Sequence, residues 1–316
     1  MSSSAPTLAA PAAPAGAPLT KKALTADHPT WCPGCGDFAV LAAFYRVLEK
    51  LNYPHEKIVT FAGIGCSSRF PYFVNTHGGH YIHGRALPFA AGISLGSDDL
   101  HVFVFGGDGD GFSIGGNHLV HTARKNVNLT YVIMDNSVYG LTKKQTSPTS
   151  PIGFKTKTDP TGAFDQPINP MRALLNSGAT FVARSHATQV NHMIDMMLRA
   201  AKHDGFSVVE ILSECVEFYE GAFDAANPRK GGAWKLVDEK KHDGTPEDAA
   251  RHDPSDELGA MKLALEAWPG SFGVFYENNQ RPTKNKLEAG LIARTREKTK
   301  GAADLDLLKA SFARLR

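Results

Sequence analysis

Several classes of protein are excluded by what this sequence has little of. No apolar stretch of the chain approaches the roughly eighteen residues that a membrane-spanning helix needs, so we predict no membrane association. The formal net charge is only +2, which gives no reason to expect nucleic acid or another polyanion as a partner. No internal repeat is visible, and the chain has only four cysteines. What remains is an ordinary globular composition, 42% hydrophobic and 21% charged.

The N-terminal segment also lacks the features of an export signal. It has no basic stretch at its start, and prolines at positions 11, 14 and 18 interrupt any apolar core. We therefore predict a disordered, Ala/Pro-rich leader over residues 1–25. Without an export signal, the cytoplasm is the expected location.

Apolar strands alternate with amphipathic helices through the middle of the chain. This order predicts an α/β fold, a parallel sheet flanked by helices, over residues 26–224. The clearest predicted strands are residues 58–62, 101–105, 129–134 and 206–212. From about residue 225 the composition becomes more charged, and we interpret residues 225–316 as an extended C-terminal arm.

One βαβ unit concentrates polar residues at the ends of its strands. Strand 101–105 leads into a turn with Gly107, Asp108 and Gly109, helix 114–125 follows, and strand 129–134 ends near Asn136. A carboxylate and an amide oxygen are suitable ligands for a magnesium ion that also binds a diphosphate, and the glycines let the backbone approach the phosphates. The alternative is an ordinary Gly/Asp-rich turn with an Asn cap.

The four cysteines all lie in predicted loops. Cys32 and Cys35 precede a helix, whereas Cys66 and Cys215 follow strands whose ends share one edge of a parallel sheet. Four thiolates suit a structural zinc or an iron–sulfur cluster, and residue type alone does not decide between them. A thioredoxin-type pair is disfavoured because no strand precedes it, and disulfides conflict with the expected compartment. Four unrelated core thiols would be unusual, since glycines flank the CxxC pair.

Together these segments resemble the β subunits of the 2-oxoacid:ferredoxin oxidoreductases, which bind thiamine diphosphate, most closely the 2-oxoglutarate branch. The resemblance covers about residues 27–224. It rests on WCPGCGD at 31–37, GIGCSSR at 63–69, HGRALPFAAGI at 83–93, GDGDGFSIGGNHLVHTARKN at 107–126, DNSVYGLTKKQTSPTS at 135–150 and EILSEC at 210–215.

The resemblance implies the thiamine diphosphate-binding fold and a specific set of site residues. A [4Fe–4S] cluster would be held by Cys32, Cys35, Cys66 and Cys215. Mg2+ would be held by Asp108, Asn136 and the carbonyl of Val138; Asp135, where many relatives have Asn, is a mild departure. The implied cofactor contacts are Ile64, Gly65, Cys66, Ser67, Gly107, Asp108, Gly109, Asp110, Asn136, Val138, Tyr139, Gly140 and Leu141.

The implied activity is the coenzyme A-dependent oxidative decarboxylation of a 2-oxoacid, reversible as reductive carboxylation. Electrons would pass through the cluster to ferredoxin. The carboxylate that activates the aminopyrimidine has no candidate in this chain and is expected on an α subunit, so an α2β2 heterotetramer is the predicted active form.

Four residues are the candidate catalytic residues: Cys66, Ser67, Arg69 and His83. The first three are expected near the reacting carbon, whereas His83 would contact substrate or diphosphate, with a loop-stabilising role as the alternative. Arg69 could bind the distal carboxylate of 2-oxoglutarate, which pyruvate lacks, although a structural ion pair is the alternative. Pyruvate or a broad range of 2-oxoacids therefore remains a second possibility. The rival functions are a non-oxidative thiamine-dependent decarboxylase and a non-catalytic, zinc-stabilised interaction module.

Overall fold

A computed structural model describes residues 18–237, 252–299 and 303–314. Its centre is an eight-stranded sheet with the spatial order β2-β1-β3-β4-β6-β5-β8-β7. All neighbouring strands are parallel except β5 and β8. The strands are β1 (Ile58–Ala62), β2 (His77–His80), β3 (His101–Gly107), β4 (Leu129–Asp135), β5 (Phe181–His186), β6 (Phe206–Leu212), β7 (Lys235–Leu236) and β8 (Ser271–Glu277).

Helices cover both faces of this sheet, as the near-continuous apolar character of β3, β4 and β6 requires. One core lies beneath α2 and α6 and contains the closely packed rings of Phe44, Phe70 and Phe105. A second core lies on the other face, where α3, α4, α5 and α7 pack. The helices are α1 (Lys21–Leu24), α2 (Asp37–Leu51), α3 (Ala86–Gly96), α4 (Gly116–Lys125), α5 (Pro170–Asn176), α6 (Val190–Lys202), α7 (Glu257–Ala264), α8 (Lys284–Lys298) and α9 (Asp304–Ala313).

The strand register brings the carboxyl ends of the central strands to one edge. Ala62 pairs with Phe105, Gly107 with Met134, and Asp135 with Leu212. The loops that follow β1, β3, β4 and β6 therefore lie side by side, which is where open α/β sheets bind ligands. The predicted parallel sheet flanked by helices is thus confirmed.

Both predicted boundaries of the central domain need correction. The leader does not extend to residue 25, because Leu19 and Leu24 are buried in the first core; residues 1–17 lie outside the described part. Nor is the region after residue 225 simply an extended arm. Its strand β8 joins the main sheet antiparallel to β5, and α7 packs on the second core, because both segments bury apolar side chains.

The helix after the GDG turn begins two residues later than residue 114. Gly109–Ile114 form a π-helical turn before α4, which widens the backbone next to the end of β3. Among the described residues, no helix is long and apolar enough to cross a membrane.

Candidate active site

A cleft of about 150 Å3 opens at the carboxyl edge, between the loops after β1, β3 and β4. Every residue that the resemblance implies as a cofactor contact lines this cleft, and His83 lines it as well. The lining residues are Ile64, Gly65, Cys66, Ser67, His83, Gly107, Asp108, Gly109, Asp110, Asn136, Val138, Tyr139, Gly140, Leu141 and Thr142. Gly109 illustrates the tight packing, because a Cβ there would lie only 2.1 Å from the Tyr139 ring.

Three oxygen-bearing residues of the predicted magnesium site meet in this cleft. Asp108 is buried at the end of β3, and Asn136 and Val138 follow β4. The Asn136 side-chain oxygen accepts a hydrogen bond from the Val138 N–H at 3.1 Å, which fixes the turn. Burial raises the pKa of the Asp108 carboxyl, so a bound divalent cation would favour its charged form. The donor set and its burial fit Mg2+.

Thr149 connects this aspartate to a second one. Its hydroxyl lies 2.8 Å from Asp108 Oδ2 and 2.9 Å from Asp135 Oδ1, and its single proton can serve only one of them at a time. Burial and the neighbouring charges of Asp108 and Glu210 raise the pKa of Asp135 well above its ordinary value. Asp135 also stabilises the turn after β4, because its Oδ1 accepts a hydrogen bond from the Ser137 N–H at 2.8 Å.

Asp110 holds three loops together rather than only facing the cleft. Its Oδ1 accepts hydrogen bonds from the backbone N–H groups of Ile64, at 2.9 Å, and Gly84, at 2.8 Å. The same oxygen lies 2.8 Å from Nδ1 of His83. The carboxylate rests on Gly63, where a Cβ would lie 2.2 Å from Oδ1. The loops after β1 and β2 are thus fixed to the turn after β3.

The four cysteines converge next to this cleft. A Cβ on Gly140 would lie 3.5 Å from Cys215 Sγ and 3.7 Å from Cys66 Sγ, so both sulfurs face this cleft residue. Burial, followed by the charges of Asp37, Cys215 and Cys32, raises the pKa of Cys66 to about 11. The pKa values of Cys35 and Cys215 are also raised, mainly by burial and partly by neighbouring thiols.

These environments weigh against two alternatives for the cysteines. All four are free, so no disulfide is formed. A redox-active pair of the thioredoxin type follows a strand, whereas irregular backbone over residues 26–31 precedes Cys32. No set of three or more His, Cys, Asp or Glu side chains in the described ranges has the geometry to hold a single metal ion. Convergence of four thiols, with Cys32 exposed and the other three partly buried, is the donor chemistry that a thiolate-held cluster requires.

Backbone contacts position the cysteine loops against one another. The indole N–H of Trp31 donates to the Cys66 carbonyl at 2.7 Å, and the Gly36 N–H donates to the Glu214 carbonyl at 3.2 Å. Gly36 allows this approach, because a Cβ there would lie 2.6 Å from Ser213 Oγ. These contacts join the CxxC turn to the loops after β1 and β6.

Arg69 is close to Cys66 but does not line the cleft. Its guanidinium lies 5.9 Å from the centre of the Phe73 ring and weakly lowers the pKa of Cys66. In the described part of the chain it has no carboxylate partner within salt-bridge distance. The structural ion pair considered for Arg69 is therefore not found there, and its guanidinium is available to a ligand.

A larger cavity, of about 480 Å3, lies behind Asp135 and Thr149. It contains the buried pair of Arg184 and Glu210, whose Nε and Oε2 lie 2.5 Å apart. Although larger, this cavity lacks the glycine turns and the thiols of the first cleft. We therefore place the candidate active site in the smaller one.

Some functional contacts were not identified from the sequence. Thr149 lies in the matched segment 135–150, yet nothing local indicates that its hydroxyl reaches two aspartates. The loop-fixing role of Asp110 was also missed, since its partners come from two other loops.

Comparison with known proteins agrees with this geometry. Residues 63–211 match the family described as thiamine pyrophosphate enzyme, C-terminal TPP binding domain. The fold, the cleft and this match define a thiamine diphosphate-binding α/β protein. The 2-oxoacid:ferredoxin oxidoreductase 1 subunit beta of Aeropyrum pernix is 40% identical over 84% of this chain and 81% of its own length. The chain belongs to the family of 2-oxoacid:ferredoxin oxidoreductase β subunits.

Two further relatives point to one branch of that family. The 2-oxoglutarate oxidoreductase subunit KorB of Mycobacterium tuberculosis is 46% identical over 72% of this chain, but the match spans only 62% of that relative's length. A 2-oxoglutarate:ferredoxin oxidoreductase structure from Magnetococcus marinus, with 2-oxoglutarate, coenzyme A and succinyl-CoA bound, superimposes with a TM-score of 0.80. It is 38% identical and covers 92% of this chain and 95% of its own.

Proposed function

We propose that this chain is the β subunit of a 2-oxoglutarate:ferredoxin oxidoreductase. The reaction is the coenzyme A-dependent conversion of 2-oxoglutarate to succinyl-CoA and CO2, with two electrons passed to ferredoxin, and it is reversible as reductive carboxylation. The observation that carries this proposal is that Cys66 both lines the cleft and belongs to the group of four cysteines, and that Gly140 of the cleft faces the sulfurs of Cys66 and Cys215. An electron acceptor held by these thiols would lie directly beside the reacting substrate.

The cleft residues divide into two groups around the cofactor. Asp108, Asn136 and the Val138 carbonyl would hold Mg2+ and, through it, the diphosphate. The loop Ile64, Gly65, Cys66 and Ser67 would contact the reactive rings. When bound, thiamine diphosphate supplies the nucleophilic carbon and the electron sink that decarboxylation of a 2-oxoacid needs.

Cys32, Cys35, Cys66 and Cys215 would hold a [4Fe–4S] cluster. The raised pKa values of Cys35, Cys66 and Cys215 are those of partly buried thiols without a cation, and coordination to iron would deprotonate the thiols. A zinc ion on the same four residues is the second candidate by residue type, because thiolates bind both, but the described thiols do not have the geometry of a single-metal site. An oxygen-sensitive cluster of this kind is suited to the cytoplasm, which we propose as the location.

Arg69 would bind the distal carboxylate of 2-oxoglutarate. Its guanidinium has no carboxylate partner within salt-bridge distance in the described ranges, and it adjoins the Cys66 loop. A charge-assisted bond to the second carboxylate distinguishes 2-oxoglutarate from pyruvate, which has none. A pyruvate-specific or broadly specific enzyme is the alternative that this residue disfavours.

The proposed partner is an α subunit that covers the cleft. Apolar side chains at its rim are exposed, including Ile82 at 64%, Ile114 at 50% and Leu141 at 47%. No glutamate lines the cleft, so the carboxylate that activates the aminopyrimidine would come from this partner. An α2β2 assembly that also binds ferredoxin is the proposed active form.

Co-expression with the α subunit under anaerobic conditions tests this function. We expect 2-oxoglutarate to reduce ferredoxin only in the presence of coenzyme A, and the activity to require both chains. Asp108→Asn should abolish it by weakening Mg2+ and diphosphate binding. Release of CO2 without reduction of the acceptor would instead identify a non-oxidative decarboxylase.

A further inference from the structure

His83 is held in one orientation by two acceptors. Its Nδ1 lies 2.8 Å from Asp110 Oδ1 and 3.1 Å from the carbonyl oxygen of Ile64. Neither partner can donate a proton, so Nδ1 must carry one. The orientation of the ring is therefore fixed, and its Nε2 edge is left for another role.

Asp110, which holds His83, is itself fixed by further hydrogen bonds. Asp110 Oδ1 also accepts the backbone N–H groups of Ile64 and Gly84, and the carboxylate is buried against Gly63. Such a carboxylate cannot follow the imidazole if the ring rotates. This is how a positioning residue prepares a catalytic side chain before substrate binds.

The opposite edge of the imidazole faces the cleft. His83 lines the cleft with 32% of its side chain accessible, and Tyr139 lies across from it, with ring centres 6.2 Å apart. Within residues 18–237, 252–299 and 303–314, Nε2 has no hydrogen-bond partner. The hydrogen bond to Asp110 raises the pKa of His83, opposed by partial burial and by the charge of Arg85. Compared with an ordinary histidine, His83 is therefore shifted toward the protonated form, in which both Nδ1 and Nε2 carry an N–H group.

We propose that Nε2–H of His83 donates a hydrogen bond to the keto oxygen of the bound 2-oxoacid, and that Asp110 positions it. The keto oxygen gains negative charge when its carbon is attacked, so a preorganised donor stabilises that change. The proton stays on Nε2, and no bond to it breaks. This inference rests on the proposed function and assigns a residue to its central step.

Two substitutions test the roles of Nδ1 and Nε2 separately. His83→Asn keeps a side-chain N–H near the position of Nδ1, and so the bond to Asp110, but removes the Nε2 donor. His83→Gln reaches the position of Nε2 but loses the bond to Asp110. His77, exposed on β2 and outside the cleft, provides the matched control His77→Asn.

The assay uses the co-purified α/β complex after the wild type has shown 2-oxoglutarate-dependent reduction of ferredoxin. We expect His83→Asn to lower kcat by about 100-fold, as for removal of an oxyanion donor, with an unchanged Kd for thiamine diphosphate measured by calorimetry. His83→Gln should retain more activity but show faster hydrogen exchange in residues 63–69. The control should match the wild type in all three measurements.

Other outcomes would overturn the inference. Near-wild-type kcat in His83→Asn would show that His83 only fixes the loops. A weakened Kd for thiamine diphosphate with unchanged kcat at saturation would assign Nε2 to the diphosphate instead. An inactive wild-type complex that contains thiamine diphosphate would refute the proposed function itself, which none of the His83 variants can do.

Discussion

Replacing Gly63 by alanine should damage the site through the Asp110 carboxylate. The added Cβ would lie 2.2 Å from Oδ1 and 2.3 Å from Oδ2, whereas real Cβ contacts essentially never fall below 3.0 Å. Gly63 is not in the left-handed region of backbone conformation, so alanine itself is not strained there. The carboxylate must therefore move by roughly 1 Å, away from the N–H groups of Ile64 and Gly84.

The loss in the free energy of unfolding follows from the hydrogen bonds that this movement weakens. Each hydrogen bond to a charged group contributes about 1.5–3 kcal/mol, so weakening two of them costs about 3 kcal/mol or more. For a chain of 316 residues, that corresponds to a Tm lower by about 4–5 °C. Gly92→Ala is the matched control, because Gly92 lies in α3 with open space around it. It should stabilise the protein slightly, by about 0.5–1 kcal/mol.

Differential scanning calorimetry of the two variants, purified with the α subunit, gives the comparison. Gly63→Ala should also show faster exchange of the Ile64 and Gly84 amides, because these lose their acceptor. If Gly63→Ala melts within 2 °C of the wild type, with unchanged amide protection, the loop-fixing role of Asp110 is wrong.

Three further predictions concern the thiols, the substrate and acid stability. Cys215→Ser should lose most of its iron and its visible absorption, because one of four proposed ligands is removed; retention of full iron content would exclude Cys215. Arg69→Ala should raise the KM for 2-oxoglutarate at least about tenfold, but hardly that for 2-oxobutyrate; equal losses in steady-state assays would refute the carboxylate contact. Burial lowers the pKa of His186 to about 4, so the unfolded chain gains a proton first as pH falls below about 6.5. The contribution of His186 to the free energy of unfolding is therefore fully present above pH 6.5 and is lost as the pH falls toward 4. At pH 5 the loss amounts to about 2 kcal/mol. His186→Asn should reduce the pH dependence of thermal unfolding, and an unchanged pH profile would contradict this.

Much of the site could be predicted because its signals are local. Buried parallel strands are continuous apolar runs, and polar residues directly after them must lie at one edge of the sheet. This logic placed Asp108 beside Asn136, and Cys66 beside Cys215, although the cysteines are far apart in sequence.

The features that could not be predicted depend on contacts between segments that are distant in sequence. Segment 271–276 has the pattern of a strand, but its sequence does not specify β5 as an antiparallel partner. Asp110 lies in a segment whose composition is that of a phosphate-binding turn. Its hydrogen bonds to Ile64, Gly84 and His83 become visible only when the structure brings three loops together. Thr149 likewise reaches its aspartates through the fold of a long loop.

The central claim is that four cysteines hold an electron-transferring cluster beside a thiamine diphosphate site. Iron, sulfide and zinc content of the anaerobically purified chain, with its visible absorption before and after dithionite, tests this most directly. We predict about four irons and four sulfides per chain, and a brown absorption that dithionite bleaches. One zinc per chain without colour would contradict the electron-transfer function and leave only the thiamine diphosphate cleft.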